Sequence, residues 1–282
     1  REEIELPIAV NQDANKMERL QRMIRPFILR RLKGDVLKDL PEKIEENVFA
    51  RLDGEQMQLY DAYATRMKEM LSQQNEKEFH KGRMQILSEL TKLRQLCCDP
   101  ALVYENYEGG SAKLDLCIEL IQSAVESGHK ILLFSQFTSM IEILTARLQE
   151  ESISCFVLQG STKKEQRAQM VEQFNRDDTS VFCISLKAGG TGLNLTGADI
   201  VIHYDPWWNV AVENQATDRA HRIGQKNVVT VYKLIAKGTI EEKIIKLQQM
   251  KKELAEEILS GDEIKTASFQ REELLELLEE RF

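Results

Sequence analysis

The sequence predicts an α/β protein whose parallel sheet is covered by helices on both faces. Its C-terminal half alternates short apolar runs of strand length with amphipathic patterns of helical period, which is typical of parallel strands joined by crossover helices. The predicted strands are Lys130–Phe134, Ile153–Leu158, Val181–Leu186, Asp199–Tyr204 and Val228–Leu234, and the predicted helices between them are Thr138–Glu150, Lys163–Phe174 and Val210–Ala220.

Size and composition indicate a well-packed chain. Its 282 residues are 42% hydrophobic, enough for one large or two small domains. No apolar run approaches the ~20 residues of a membrane span and no signal peptide is visible, so we expect a soluble intracellular piece of a longer protein with no membrane contact. The five cysteines lack metal-ligand spacing, which predicts reduced structural thiols and no metal site.

The net charge of −8 is concentrated in a C-terminal tail. Residues 253–282 hold ten acidic and three basic side chains, a net −7, so the rest of the chain is close to neutral. A near-neutral body can still carry a basic channel, because electrostatic steering depends on local patches. The tail either shields such a channel or is a solvated end, and its charge run favours the solvated end.

The region before residue 110 is predicted to be mainly helical after one strand. Lys43–Leu52 alternates in part and predicts the strand. Gln73–Lys81 is polar and predicts an exposed connection between two helices, and Asp99-Pro100 ends the second of them. Apolar stripes at three- and four-residue steps mark the packed faces of these helices, one through Met57, Tyr60, Ala64, Met67 and Leu71 and the other through Leu87, Leu90, Leu93 and Cys97.

Two further helices flank the predicted strands. Ser111 is a predicted N-cap for a helix that runs to Ser127, with Gly128 as the residue after its end. Beyond the last strand, Thr239–Leu259 predicts a long helix with an apolar seam that includes Ile240.

Candidate chemistry lies on the helix predicted after the strand Asp199–Tyr204. Gln215, Arg219 and Arg222 are spaced i, i+4 and i+7, which places them on one helical face. Paired guanidiniums donate bidentate hydrogen bonds to anionic oxygens such as those of phosphate. The alternative is a solvated helix face whose arginines pair with the nearby acidic residues Glu213 and Asp218.

A glycine-rich loop favours the phosphate-binding interpretation. Residues 187–195 follow a predicted strand and include Gly190 and Gly192, which allow close backbone approach and free N–H donors. The arginine helix likewise follows the end of a buried strand, where α/β proteins place their ligand sites. The two segments together predict one site for an anionic ligand.

Three segments resemble helicase motifs V and VI of the SWI/SNF family: residues 189–195, residues 205–209 (Asp-Pro-Trp-Trp-Asn) and residues 215–225. Members of this family are ATP-driven double-stranded-DNA translocases within helicase superfamily 2. The resemblance implies a RecA-like lobe of the P-loop-NTPase type with a helical insertion. The Pro-Trp-Trp-Asn form is more similar to bacterial members than to the chromatin remodellers of eukaryotes.

The resemblance also divides the chain into segments. Residues 1–43 would join the two motor lobes, 44–110 would form the helical insertion, and 111–237 would form the RecA-like C-terminal lobe. Residues 238–260 would be a helix that braces the lobes, followed by the acidic tail at 261–282.

For ATP, the resemblance implies that Arg219 and Arg222 are arginine fingers, that Gln215 orients them or the attacking water, and that Gly190 and Gly192 also face the nucleotide. Such a finger is worth ~10³–10⁵ in rate. No glycine is followed by lysine, and the only Asp-Glu pair lies in the tail, so Walker A and B motifs are absent. We therefore expect an inactive fragment without a tightly bound cofactor, and binding of ATP with Mg²⁺ only in the complete two-lobe protein.

For DNA, the resemblance implies a track of loops that hold the backbone of one strand, with a tryptophan against the minor groove. Residues 160–163 combine a turn, hydroxyls and a helix N-terminus, which suits phosphate. Contacts to the backbone alone predict no readout of base sequence. The implied DNA-binding residues are Gln136, Gly160, Ser161, Thr162, Lys163, Lys187, Gly190, Thr191 and Trp208.

The implied partners are double-stranded DNA, ATP and a first RecA-like lobe in the same chain, with no requirement for an oligomer. A bacterial protein of this kind would act in the cytoplasm at the nucleoid, and a eukaryotic one in the nucleus. Two alternatives stay open: an RNA-directed helicase of the same superfamily, and a catalytically inactive lobe that only binds nucleic acid or protein.

Overall fold

The computed structural model describes residues 40–186, 188, 192–246 and 248–249. Within these ranges the chain folds into one parallel sheet with helices around it. In chain order the elements are β1 (Lys43–Arg51), α1 (Gly54–Gln73), α2 (Glu76–Cys98), a 3₁₀ turn (Pro100–Leu102), α3 (Ala112–Glu126), β2 (Ile131–Ser135), α4 (Thr138–Glu150), β3 (Cys155–Leu158), α5 (Lys164–Phe174), β4 (Val181–Ser185), β5 (Ile200–His203), α6 (Val210–Thr217) and β6 (Val229–Lys237).

The sheet has six strands in the order β1-β6-β5-β2-β4-β3, and every neighbouring pair is parallel. Successive residues of a strand point to opposite faces, and the central strands are apolar on both. Leu133 packs in a core cluster with the helices α3 and α4, whereas Leu132 packs in a second cluster with α5 and α6. The predicted α/β class with helices on both faces is confirmed.

The edge strand β1 extends the sheet beyond the five strands of the C-terminal half. It pairs with β6 over nine residues, from Lys43 opposite Val229 to Arg51 opposite Lys237. The strand predicted at Lys43–Leu52 is therefore confirmed. Residues 44–51, which the motif-based division groups with the helical insertion, are part of the sheet itself.

Helices α1 and α2 pack together in a third core cluster, and their connection is shorter than predicted. Asn75 begins α2 with a capping box, because its side chain accepts from the Glu78 N–H while the Glu78 side chain accepts from the Asn75 N–H. Phe79, placed by the sequence pattern in an exposed connection, is buried. Leu87, placed in the packed stripe, is 53% exposed, and Ile86 takes the inward position, in helical phase with Phe79 and Leu90.

Other predicted boundaries agree with the structure. The Ser111 side chain caps α3 by accepting from the Leu114 N–H, and Gly128 follows that helix with a φ of +80°. Residues 240–246 and 248–249 are helical, in agreement with the start of the predicted long helix; the rest of that helix and the tail lie outside the described residues. No helix in the described ranges is long and apolar enough to cross a membrane.

Buried polar contacts fasten the helical insertion to the sheet. Within the lobe, Lys113 of α3 and Glu241 form an ion pair in which both side chains are fully buried, and Glu241 also accepts from the Ala236 N–H at the end of β6. From α1, the Tyr60 hydroxyl accepts from the Ile240 N–H at 2.8 Å. The five cysteines are free thiols, and four of them are buried, as predicted for structural thiols.

Candidate nucleotide and nucleic-acid site

The two arginines do not lie on a helix. Helix α6 ends at Thr217, three residues earlier than predicted, and Asp218 is its C-cap. The backbone then tightens into turns in which Arg219 N–H donates to the Ala216 carbonyl and Arg222 N–H donates to the Ala220 carbonyl. The helical i, i+4, i+7 placement of Gln215, Arg219 and Arg222 was therefore wrong. We call residues 218–228 the arginine loop.

The arginine loop lies at the edge of the sheet where the strands begin. Its Gln225 amide donates to the Ala198 carbonyl, two residues before β5, at 2.7 Å. His221 Nε2 lies 2.8 Å from the carbonyl oxygen of Pro41, two residues before β1, and Leu195 N–H donates to the Arg219 carbonyl at 3.0 Å. The sequence placed this site beyond the end of a strand. Instead, α6 carries the chain from that end of β5 back to the edge where the strands begin, and the arginines follow there.

The electrostatics of the arginine loop favour an anionic ligand. Arg219 is 5% exposed, and its Nε is buried without a hydrogen-bond partner. Burial, and then the neighbouring charge of Arg222, lower the pKa of the Arg219 guanidinium, whereas the charge of Asp218 acts in the opposite direction. Within the described residues neither arginine forms an ion pair with an acidic side chain. Glu213, offered above as a possible partner, is buried and instead lies 3.5 Å from Lys233 Nζ.

The other predicted nucleotide-facing residues are only partly described. Gln215 is exposed in the last turn of α6. Gly192 has a φ of +63°, a left-handed conformation that glycine adopts without strain. Lys187, Gly190 and Thr191 lie outside the described residues, so their assignment as ligand or DNA contacts stays a prediction.

At the opposite edge of the sheet, the loops after β2 and β5 are joined by a buried carboxylate. Asp205 Oδ1 accepts from the Ser135 hydroxyl at 2.5 Å and from the Gln136 N–H at 3.2 Å. Its Oδ2 accepts from the Gln136 side-chain amide. Burial raises the pKa of Asp205, while the nearby guanidinium of Arg94 acts in the opposite direction.

Gln136 is predicted to contact DNA, yet both ends of its side-chain amide are already engaged within the protein. Its Nε2 donates to Asp205, and its Oε1 accepts from Arg94 Nη1 at 2.9 Å. Of the two tryptophans after β5, Trp207 packs against the core cluster that includes α5 and α6, and Trp208 packs against that of the insertion. Trp208 is partly buried rather than freely exposed.

The loop after β3 presents a short polar segment at the same edge. Gly160, Ser161 and Lys163 are exposed, Thr162 is partly exposed, and Lys163 immediately precedes α5. A helix N-terminus with free N–H groups and adjacent hydroxyls suits a phosphate. Arg167 shapes this loop from α5, because its guanidinium donates to the carbonyls of Gln159, Gly160 and Thr162 and also to that of Ala188 after β4.

The sequence interpretation missed several residues that organise these loops. Arg94 falls four residues after Leu90, so a charge on the packed stripe of α2 was the available signal. Arg167 and Gln225 gave no such signal, because their partners are backbone carbonyls of loops whose path the sequence does not show. In the part of the chain that the structure describes, no group of three or more His, Cys, Asp or Glu side chains is placed to hold a metal.

Two family profiles match the chain. The profile of the helicase conserved C-terminal domain covers residues 112–224, which include β2 to β5 and both arginines. The profile of the SNF2-related domain covers residues 1–102.

A curated bacterial relative matches nearly the whole chain. The putative ATP-dependent helicase/translocase YwqA of Bacillus subtilis is 42% identical over 266 residues, which cover 91% of this chain and 28% of that protein. The chain spans about a quarter of the length of the curated relatives that it matches.

Solved structures from Sulfolobus solfataricus share the fold. The SWI2/SNF2 ATPase core in complex with dsDNA matches with a TM-score of 0.66 and 37% identity, over 87% of this chain and 52% of that one. The SWI2/SNF2 ATPase C-terminal domain matches with a TM-score of 0.64 and 33% identity, over 83% of this chain and 94% of that domain. The chain therefore belongs to the SWI/SNF family, in which it is the RecA-like C-terminal lobe of the helicase core.

Proposed function

We propose that this chain is the second motor lobe of an ATP-driven double-stranded-DNA translocase and that its arginine loop completes the ATP site of a first lobe. The observation that carries the proposal is the pair Arg219 and Arg222, in which a buried guanidinium and an exposed one lie on the same loop, close enough for the charge of one to lower the pKa of the other. Two like charges in this arrangement favour an anion with several oxygens.

The two arginines have different roles in this proposal. Arg219 is buried, and its backbone is fixed by the hydrogen bond that its carbonyl accepts from the Leu195 N–H. Arg222 is exposed and reaches outward from the same turn. Bound ATP supplies the γ-phosphoryl group, on which negative charge develops during transfer. The exposed guanidinium stabilises that charge, and the buried one adds to the positive potential.

The proposed nucleotide site is completed by another lobe. Walker A and Walker B motifs, which hold the phosphates and Mg²⁺, do not occur in this sequence. We therefore propose that ATP with Mg²⁺ binds on a first lobe of the same protein and that the chain alone neither hydrolyses ATP nor retains it tightly. Gln215, exposed one turn before Arg219, is proposed to orient the arginines or the attacking water.

Double-stranded DNA is the proposed track, along the loops at the opposite edge of the sheet. The exposed groups of residues 160–163 offer phosphate contacts, and a Sulfolobus relative was solved as a complex with dsDNA. Gln136 has its side-chain amide engaged within the protein, so its loop can offer DNA mainly backbone groups. Such contacts support binding without base readout.

The test is the substitution Arg222→Ala in the full-length protein. We expect DNA-stimulated ATP hydrolysis to fall by about 10³-fold or more, because an arginine finger contributes at least this much to the rate. The matched control is Lys226→Ala, which removes an exposed cation from the same loop and should leave the rate within about twofold. Circular dichroism and thermal unfolding of both variants report whether the fold is kept.

The alternatives predict different results. If Arg222→Ala hydrolyses ATP within a few-fold of the parent, the finger assignment is wrong. If the parent protein hydrolyses ATP with double-stranded RNA but not with DNA, the lobe belongs to an RNA-directed enzyme. A parent that binds nucleic acid without hydrolysis under any of these conditions would be the inactive lobe.

A further inference from the structure

We propose that Arg94, on the helical insertion, is a positioning residue that holds the loops after β2 and β5 in one arrangement and so sets the affinity of the lobe for the DNA backbone. The proposal rests on the proposed function, since it concerns the same DNA track. It gives the insertion a direct role in forming that track.

Arg94 reaches both loops with one guanidinium. It lies one turn before the end of α2 and is 3% exposed. Its Nη1 donates to Gln136 Oε1 at 2.9 Å, and its Nη2 donates to the carbonyl of Pro206 and lies 3.8 Å from Asp205 Oδ2. A planar fork can make such divergent contacts at once, whereas a lysine ammonium concentrates its charge at one point.

Two aromatic rings hold the guanidinium in place. Its central carbon lies 5.5 Å from the ring centroid of Trp208, on the β5 loop, and 5.8 Å from that of Phe137, on the β2 loop. Arginine favours such positions beside ring faces, because its guanidinium is planar and weakly hydrated. Each loop therefore offers Arg94 one polar acceptor and one ring.

Arg94 also compensates the buried carboxylate between the loops. Asp205 is 1% exposed and accepts hydrogen bonds from the side chains of Ser135 and Gln136. A buried carboxylate is stable only when it is hydrogen-bonded and near a positive charge. Without Arg94, Asp205 would take up a proton or draw in water, and the shared geometry of the two loops would be lost.

This arrangement acts on DNA only indirectly. Gln136 and Trp208 are candidate DNA contacts, and both touch Arg94, but Arg94 is itself too buried to reach a phosphate. Loss of Arg94 would therefore misplace the loops that contact DNA, and it would not remove a charge from the protein surface that faces DNA. A loss of about 1.4 kcal/mol in DNA binding from such misplacement corresponds to a tenfold weaker affinity.

The experiment measures ATP hydrolysis by the full-length protein as a function of DNA concentration. Arg94→Met keeps the apolar stem and removes the fork, and Arg94→Lys keeps the charge. We expect the half-saturating DNA concentration to rise by about tenfold or more in Arg94→Met, less in Arg94→Lys, with the maximal rate at saturating DNA within about twofold of the parent. Lys92→Met, on the exposed face of the same helix, is the matched control and should change neither quantity.

A purely structural role for Arg94 gives a different result. Loss of folded protein lowers the maximal rate in proportion and leaves the half-saturating DNA concentration unchanged, and that outcome, or no change at all, would overturn the proposal. A parent protein without DNA-stimulated hydrolysis would instead refute the proposed function. In that case the role of Arg94 is tested by measuring the DNA affinity of the parent and Arg94→Met proteins directly. Equal affinities would overturn it.

Discussion

His203 is fully buried on β5, where its ring stacks on Phe134 and its Nε2 lies 2.9 Å from the Thr217 hydroxyl. Burial lowers the pKa of His203 from 6.5 to about 4, although Glu213 nearby acts in the opposite direction. The histidine is therefore neutral in the folded chain at pH 7. In the unfolded chain His203 takes up a proton at a higher pH than in the folded chain, so the free energy of unfolding depends on pH.

This linkage predicts lower stability in mild acid. Between pH 6.5 and 4 the unfolded chain binds a proton at His203 that the folded chain does not, so the free energy of unfolding falls as pH drops. The expected contribution between pH 7 and pH 5 is about 2 kcal/mol. His203→Gln, which keeps a polar partner for Thr217, should weaken the pH dependence by that amount in urea unfolding.

His129→Gln is the matched control for this measurement. His129 has a side chain that is 46% exposed and lies at the start of β2, beside Asp199. Its replacement should leave the fall in stability between pH 7 and pH 5 largely intact. An unchanged pH dependence in His203→Gln would mean that His203 is not held neutral by the fold.

Single residues also mark the limit of what the sequence could predict about the site. The two arginines were identified from their spacing and their neighbours, and the structure places both on one loop. Their helical setting was wrong, because the bond that draws Arg219 into a turn comes from Leu195, a residue 24 positions away. The role of Arg94 depends on two loops whose proximity only the fold creates.

Among the elements, strands were predicted better than the ends of helices. The predicted strand Lys130–Phe134 is β2, observed at Ile131–Ser135, because a run of apolar residues buried on both faces leaves few other conformations. The connection predicted at Gln73–Lys81 failed for the opposite reason. Its polar residues are compatible with helix, and the Asn75 capping box starts α2 within it.

The buried ion pair that joins α3 to the residues after β6 gives a prediction about stability. Lys113 and Glu241 are both fully buried, so Lys113→Met would leave an uncompensated carboxylate inside the protein. We expect this single substitution to lower the free energy of unfolding by ~3–5 kcal/mol. The double variant Lys113→Met/Glu241→Gln should be less destabilised than the single one, because the amide oxygen can still accept from the Ala236 N–H.

Urea unfolding of the parent, both single variants and the double variant completes this cycle. Additive losses from the two substitutions would show that the charges do not interact. The prediction concerns stability only and holds whatever ligand the lobe binds.

For the whole molecule, the exposed loops at one edge of the sheet give a prediction about how the chain binds DNA. We expect the chain to bind duplex DNA weakly and without preference for sequence, with an affinity that falls as salt rises, because a few phosphate contacts on a near-neutral body supply the attraction. Lys163→Ala should reduce the slope of log affinity against log salt by about 1.

Arg176→Ala is the control for the salt series. Its side chain is 77% exposed and lies just beyond the other end of α5, away from residues 160–163. Its loss should leave the slope unchanged. Tight binding to one base sequence that salt does not weaken would contradict a track made of phosphate contacts.

The contact between His221 and Pro41 joins the residues just before β1 to the arginine loop. His221 lies between Arg219 and Arg222 in the sequence, and its ring nitrogen is 2.8 Å from the Pro41 carbonyl, where the chain arrives at β1 from residues 1–39. The residues that lead into β1 are therefore direct neighbours of the loop that carries both guanidiniums, although about 180 positions separate them in the sequence.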